Sequence, residues 1–155
     1  MVAGDVDRSC YRPIYRACRP AIATATGGRP VPRAAIISIV DDDESVRAAM
    51  SSLVRSLGYE ACEFASAEAF LASPRRQDTA CLITDVHMPG MSGLDLQAVL
   101  LAREEVVPII FITAFPADSL RQRAEAAGAA GFFSKPVDSQ MIIHCLDAAL
   151  GSSGL

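Results

Sequence analysis

Few residues in this chain could do chemistry, and most of those are acidic. Asp41, Asp42 and Asp43 run consecutively behind an apolar stretch, and Asp85 follows a second one. Thr113 ends a third, and Lys135 closes a short aromatic run. Converging carboxylates repel one another and keep their protons unless a cation joins them. An all-oxygen, carboxylate-rich set with room for water suits Mg²⁺. Such an ion can neutralise a phosphoryl group arriving at an aspartate oxygen, and aspartyl phosphates are an established covalent intermediate. Lys135 offers a point positive charge to a phosphoryl oxygen. Thr113 offers a hydroxyl donor. Lys135 is the only lysine, every other basic residue being Arg.

Each residue also has a plainer reading. Acids ahead of a helix are favoured by its dipole, which suits Asp43 and Glu44. Asp85 alone reads as a turn residue before Pro89, Thr113 as a strand threonine, and Lys135 as a solvated surface charge. The weight lies in the coincidence: four polar features stand at the ends of four otherwise apolar runs.

Those runs must be strands, because helical patterns alternate with them. Short runs rich in Ile and Val predict strands over 35–40, 80–84 and 106–113, buried on both faces. Further strands are expected over 59–64 and 131–134. Val46, Met50, Leu53, Val54 and Leu57 recur at helical spacing, so a helix is expected over 44–57, stopped by Gly58. Others are expected over 66–72, 92–101, 116–127 and 138–150, with Ser66, Ser92 and Asp138 as caps. Alternating strands and helices give an α/β domain, a doubly wound parallel five-stranded sheet with right-handed crossovers. Such sheets bind ligands at the carboxyl ends of their strands, where the strand order reverses. With strand order 2-1-3-4-5, Asp41, Asp42 and Asp85 share one pocket.

Composition narrows the function classes. The chain has 155 residues, of which 51% are hydrophobic and 21% charged, ordinary for one globular domain. No apolar run approaches the ~20 residues of a membrane helix, and Met1–Arg8, with Asp5 and Asp7, lacks the apolar stretch expected of a secretory signal. Five scattered cysteines without paired spacing point away from zinc and towards a reducing cytoplasm. Residues 1–33 hold six arginines against Asp5 and Asp7, a net charge of +4. Residues 34–155 hold eight basic and sixteen acidic residues, a net charge of −8. An acidic body argues against nucleic-acid binding. Pro13, Pro20, Pro30 and Pro32 interrupt the first segment, so 1–33 is expected to be a disordered basic extension, 34–150 the domain and 151–155 a short tail.

From about Ala35 to Leu150 the chain resembles the receiver domains of bacterial two-component response regulators, particularly those of the FixJ type. The matching stretches are Ile39-Val-Asp-Asp-Asp-Glu-Ser-Val-Arg47, Leu82-Ile-Thr-Asp-Val-His-Met-Pro-Gly-Met-Ser-Gly-Leu94, Ile109-Ile-Phe-Ile-Thr-Ala114 and Gly131-Phe-Phe-Ser-Lys-Pro-Val137. The resemblance implies a flavodoxin-like (βα)5 fold and a regulatory phosphoacceptor rather than an enzyme. It implies that Asp85 accepts the phosphoryl group and that Mg²⁺ is held by Asp42, Asp85 and the backbone carbonyl of His87, with Asp41 behind them. It further implies Thr113 as the switch hydroxyl, Lys135 as the phosphate-binding lysine, Phe132 as a switch aromatic that turns inward, and a cis peptide before Pro136. The implied donor is a histidine kinase or a phosphotransfer protein. The implied readout is a protein partner on the face formed by 116–127 and 131–150, or a phosphorylation-dependent homodimer.

Two departures stand out. The loop after Thr113 reads Ala-Phe-Pro-Ala-Asp, which places bulky Phe115 beside the site. The sequence also ends at Leu155 without the helix-turn-helix usual in FixJ-type regulators, so a stand-alone regulator is expected. A receiver that binds partners without phosphorylation is the alternative, and the full set of five polar residues weighs against it. A haloacid-dehalogenase-like phosphatase would need an acid two residues after Asp85, where His87 stands. A flavodoxin-like cofactor binder would need a phosphate loop where Asp41, Asp42 and Asp43 stand.

Overall fold

The computed structural model describes residues 34–150, together with the backbone of two short antiparallel strands, Ala23–Thr24 and Pro30–Val31. The rest of the expected extension and the tail lie outside the described residues.

Five strands form the sheet: β1 (Ile36–Val40), β2 (Glu60–Phe64), β3 (Thr79–Asp85), β4 (Ile109–Thr113) and β5 (Gly131–Ser134). All pairings are parallel, and the order is β2-β1-β3-β4-β5. Every residue of β1, β3 and β4 is buried, as continuous apolar runs require when helices cover both faces. The edge strands β2 and β5 are only partly buried.

The helices are α1 (Glu44–Ser56), α2 (Ala67–Ala72), α3 (Gly93–Ala102), α4 (Asp118–Ala126) and α5 (Ser139–Leu150). Side-chain alternation along the strands splits the core in two. Ile37, Ile39, Ile83 and Ile110 pack with Val54 of α1 and Leu146 of α5. Val40, Leu82 and Phe111 pack with Phe70, Leu96 and Ala124 of α2, α3 and α4. Burying side chains of this size stabilises the fold by about 1.5–3 kcal/mol each.

Most boundaries shift by one residue from expectation, and the differences with a clear physical reason lie at β4, α4, β3 and the turn before β3. β4 begins at Ile109 rather than 106, since Pro108 has no N–H to give the ladder, although its carbonyl accepts from the Leu82 amide. α4 begins at Asp118 rather than 116, after an N-cap, Ala117, that offers no side-chain acceptor. β3 reaches Thr79 and Asp85 at its two ends, and the Thr79 and Ser38 hydroxyls satisfy each other at 2.7 Å inside the sheet. Pro74–Asp78 forms a 3₁₀ turn with Ser73 as its cap.

Candidate functional site

The chemistry gathers where β1 and β3 end side by side. Asp43 serves the helix: its Oδ1 accepts from the Ser45 and Val46 amides and caps α1. That leaves Asp41 and Asp42 for the site. Asp41 is 3% exposed; its Oδ1 accepts from the Asp43 amide and its Oδ2 from Lys135 Nζ at 3.0 Å. Asp85 is 6% exposed; its Oδ1 accepts from the His87 amide and its Oδ2 from Lys135 Nζ at 3.2 Å. Asp42 is exposed.

One carboxylate oxygen from each of Asp41, Asp42 and Asp85 lies within 4.8 Å of the other two. These donors are all hard oxygens, two buried and one at the surface where water can complete a shell. That donor set fits a divalent cation such as Mg²⁺. Burial pushes the Asp41 carboxyl above its usual value, and the charge of Asp85 adds to this against the bonds from Asp43 and Lys135. Burial pulls the Lys135 ammonium down, but its bonds to Asp41 and Asp85 outweigh that and leave it raised. Lys135 is therefore a fixed cation between two carboxylates, and the pocket is built for further positive charge.

Lys135 is set in place from β4. Its amide donates to the Thr113 carbonyl at 2.8 Å, and the Lys135–Pro136 peptide is cis. Thr113 is fully buried, and its Oγ1 accepts from the Phe115 amide at 3.1 Å. His87 follows Asp85 in the loop between β3 and α3. Phe132 lies inward already, 4% exposed, with its ring 6.2 Å from Phe111 and under the Arg121 guanidinium at 4.9 Å. Arg121 also donates to the Phe132 carbonyl, so α4 holds the ring where the resemblance has it arriving only after phosphorylation.

Three supporting residues escaped the sequence reading. Arg47 donates to the Asp41 carbonyl at 2.7 Å and fixes the turn out of β1. Glu68 of α2 accepts from the Met91 amide and ties down the loop after Asp85. A methyl group on Gly93 would collide with the Asp85 carbonyl oxygen, so α3 can start where it does only with glycine there. Nothing in the spacing points to Glu68, because its partner lies 23 residues away in another element.

The chain and its fold are similar to those of known proteins. A family model described as the response regulator receiver domain matches residues 37–147. Response regulator protein TodT of Pseudomonas putida is 45% identical over 118 residues, covering 76% of this chain and 52% of that protein. Transcriptional regulatory protein FixJ of Azorhizobium caulinodans is 37% identical over 123 residues, covering 79% of this chain and 58% of that protein. This chain thus spans about half the length of the curated relatives it matches. Among solved structures, response regulator StyR superposes with a TM-score of 0.71 at 38% identity, covering 78% of this chain and 61% of that one. FixJ-N gives 0.69 at 33%, covering 77% of this chain and 96% of that one. With the fold, the strand order and most of the described length matched, this chain belongs to the response regulator receiver domain family.

Proposed function

We propose that Asp85 is the phosphoacceptor of a two-component phosphorelay and that its phosphorylation controls protein–protein binding. One observation carries this reading: Lys135 bridges the buried carboxylates of Asp41 and Asp85 at the carboxyl end of the sheet. A structural ion pair needs one acid, whereas this lysine faces two, with Asp42 beside them.

In the proposed reaction an Asp85 oxygen attacks the phosphorus of a phosphohistidine on a histidine kinase or phosphotransfer protein. The new P–O bond forms as the P–N bond breaks, and the electron pair stays on the imidazole nitrogen. Mg²⁺ held by Asp42, Asp85 and the His87 carbonyl, with Asp41 behind them, would supply charge neutralisation at the phosphoryl oxygens. Lys135 holds one of those oxygens as well, so positioning and electrostatics account for most of the catalysis. The Thr113 hydroxyl then turns to the phosphoryl group and gives up its bond from the Phe115 amide. Because that amide leads into α4, and α4 grips Phe132 through Arg121, the change spreads to the face of α4, β5 and α5. A protein partner or a second copy reads that face. The thiols of Cys62, Cys81 and Cys145 are free, which suits a reducing cytoplasm.

The test is direct. Incubated with Mg²⁺ and acetyl phosphate, the protein should gain the mass of one phosphoryl group, and Asp85→Asn should gain none. No gain by the wild type would sink the proposal and leave a phosphorylation-independent binding module.

A further inference from the structure

α3 is almost wholly apolar, and only Asp95 and Gln97 break that pattern. Asp95 is exposed and closes the capping box with Ser92. Gln97 is turned into the core, 3% exposed, where an amide must replace the bonds it made to water. Its Nε2 donates to the Ala124 carbonyl of α4 at 3.2 Å. The end of α4 does not need that bond. Gly128 takes a left-handed φ of 96°, and the Ala129 amide already donates to the same carbonyl at 3.0 Å, which caps the helix. A carbonyl has a second lone pair, and Gln97 uses it to tie one helix to the next. α4 has little else to hold it. Ala124 is its only buried residue, and its N-cap, Ala117, offers no acceptor. Arg121 grips Phe132 near the middle. The Asp95–Arg123 ion pair, at 3.9 Å, is exposed and contributes little. α3, by contrast, is fixed at its start against Asp85. Gly93 leaves no room for a methyl beside the Asp85 carbonyl, and its amide donates to the Val86 carbonyl at 2.9 Å. Gln97 lies about one turn beyond Gly93.

We infer that Gln97 is a positioning residue that makes α4 follow α3 when Asp85 is phosphorylated. This rests on the reading of Asp85 as phosphoacceptor. The N-terminal end of α4 then responds through Thr113, and its C-terminal end responds through the Asp85 backbone, α3 and Gln97. A displacement of Asp85 reaches α3 directly, because Gly93 leaves no slack between them. α3 moves as one body, since Leu94, Leu96 and Leu100 lock it into the core. The last step needs the amide. Apolar contact between helices has no preferred direction, so α3 can slide past Ala124 without carrying α4 along. A hydrogen bond fixes both distance and angle, and so keeps the two helices in register. Packed side chains and hydrogen bonds of this kind are what carry coupling between elements.

The experiment uses the full chain with Mg²⁺ and acetyl phosphate. Intact mass reads loading, and amide hydrogen exchange, resolved by overlapping fragments, reads α4 and the turn after it. Gln97→Met keeps the length of the side chain and leaves the Ala124 carbonyl its bond from Ala129. Its thermal midpoint without donor should therefore stay close to that of the wild type. Gln97→Leu is a second apolar variant, in case Met packs poorly. In the wild type, loading should change exchange several-fold at both ends of α4. Both variants should load fully, keep the change over residues 118–121 and lose it over residues 124–129. Variants that respond like the wild type along the whole helix would overturn the tie and leave the phosphoacceptor standing. So would a wild type that loads with no change over residues 124–129. Exchange over 124–129 that is already faster in the unloaded variants, by as much as loading changes it, would make Gln97 a plain structural bond and overturn the tie as well. No loading of the wild type would overturn both readings.

Discussion

At the scale of single residues, Lys135 carries the most electrostatic weight. Its Nζ sits 3.0 Å from Asp41 Oδ2 and 3.2 Å from Asp85 Oδ2, where both carboxylates are nearly out of water. Replacing it with Met leaves two buried acids facing each other with no counter-charge. Breaking a fully buried pair costs about 3–5 kcal/mol, while an exposed pair is worth about 0–1. Lys135 is part-exposed, so a loss of about 1–3 kcal/mol is expected for Lys135→Met in metal-free buffer. Urea titration measures it. The same variant should gain more stability from Mg²⁺ than the wild type does, because the cation then takes over the lysine's role. Equal gains would mean that Lys135 and the cation do not share the carboxylates. The place of Lys135 at the strand ends was legible in the sequence as a lone lysine after an aromatic run. Its bond to Asp41 was not, since Asp41 lies 94 positions away and the residue types alone cannot choose between Asp41, Asp42 and Asp43.

At the scale of elements, the strand ends were legible and the helix starts less so. Buried parallel strands announce themselves as apolar runs, and β1, β3 and β4 each carry their site residue at or just beyond the last rung. The start of α4 was misjudged because Pro116 and Ala117 give the helix no acceptor, so it begins only at Asp118. The start of α3 shows what a good signal looks like. Ser92 and Asp95 form a reciprocal capping box, with bonds of 3.1 and 3.2 Å. Ser92→Ala should cost about 1 kcal/mol and leave phosphorylation of Asp85 intact. Gly93→Ala should do more. The added methyl would strike the Asp85 carbonyl, so either α3 or the end of β3 must move. A loss of roughly 2–4 kcal/mol together with slower loading from acetyl phosphate is expected, on the scale of other overpacked or strained sites. Normal loading by Gly93→Ala would show that α3 shifts alone and that the two elements are not rigidly coupled at Asp85.

At the scale of the whole molecule, four ionisable groups, Cys81 buried and Cys145, Tyr59 and Lys135 part-buried, act in the same direction at high pH. Burial raises Cys81 and Cys145 above their ordinary 9.0. Burial, with the charges of Asp147 and Cys81, raises Tyr59 above 10.0. Asp41 and Asp85 outweigh burial and raise Lys135 above 10.5. In every case the folded state holds its proton more tightly than the unfolded chain does. As pH climbs past each ordinary value, the unfolded chain gives up its proton first, and stability falls with rising pH until the folded group also titrates. The stabilisation these groups lend is therefore complete below pH 9 and is lost progressively above it. Three of them, Cys81, Cys145 and Tyr59, belong to the α1–α5 side of the core, so the loss begins on one face of the sheet. The urea midpoint, measured under reducing conditions and without metal, should decline steadily from about pH 8.5 to about pH 11. Tyr59→Phe removes one titrating group while keeping the ring, so its decline should be shallower above pH 10. A midpoint that stays level across that range would mean that the unfolded chain shelters these protons as well as the fold does.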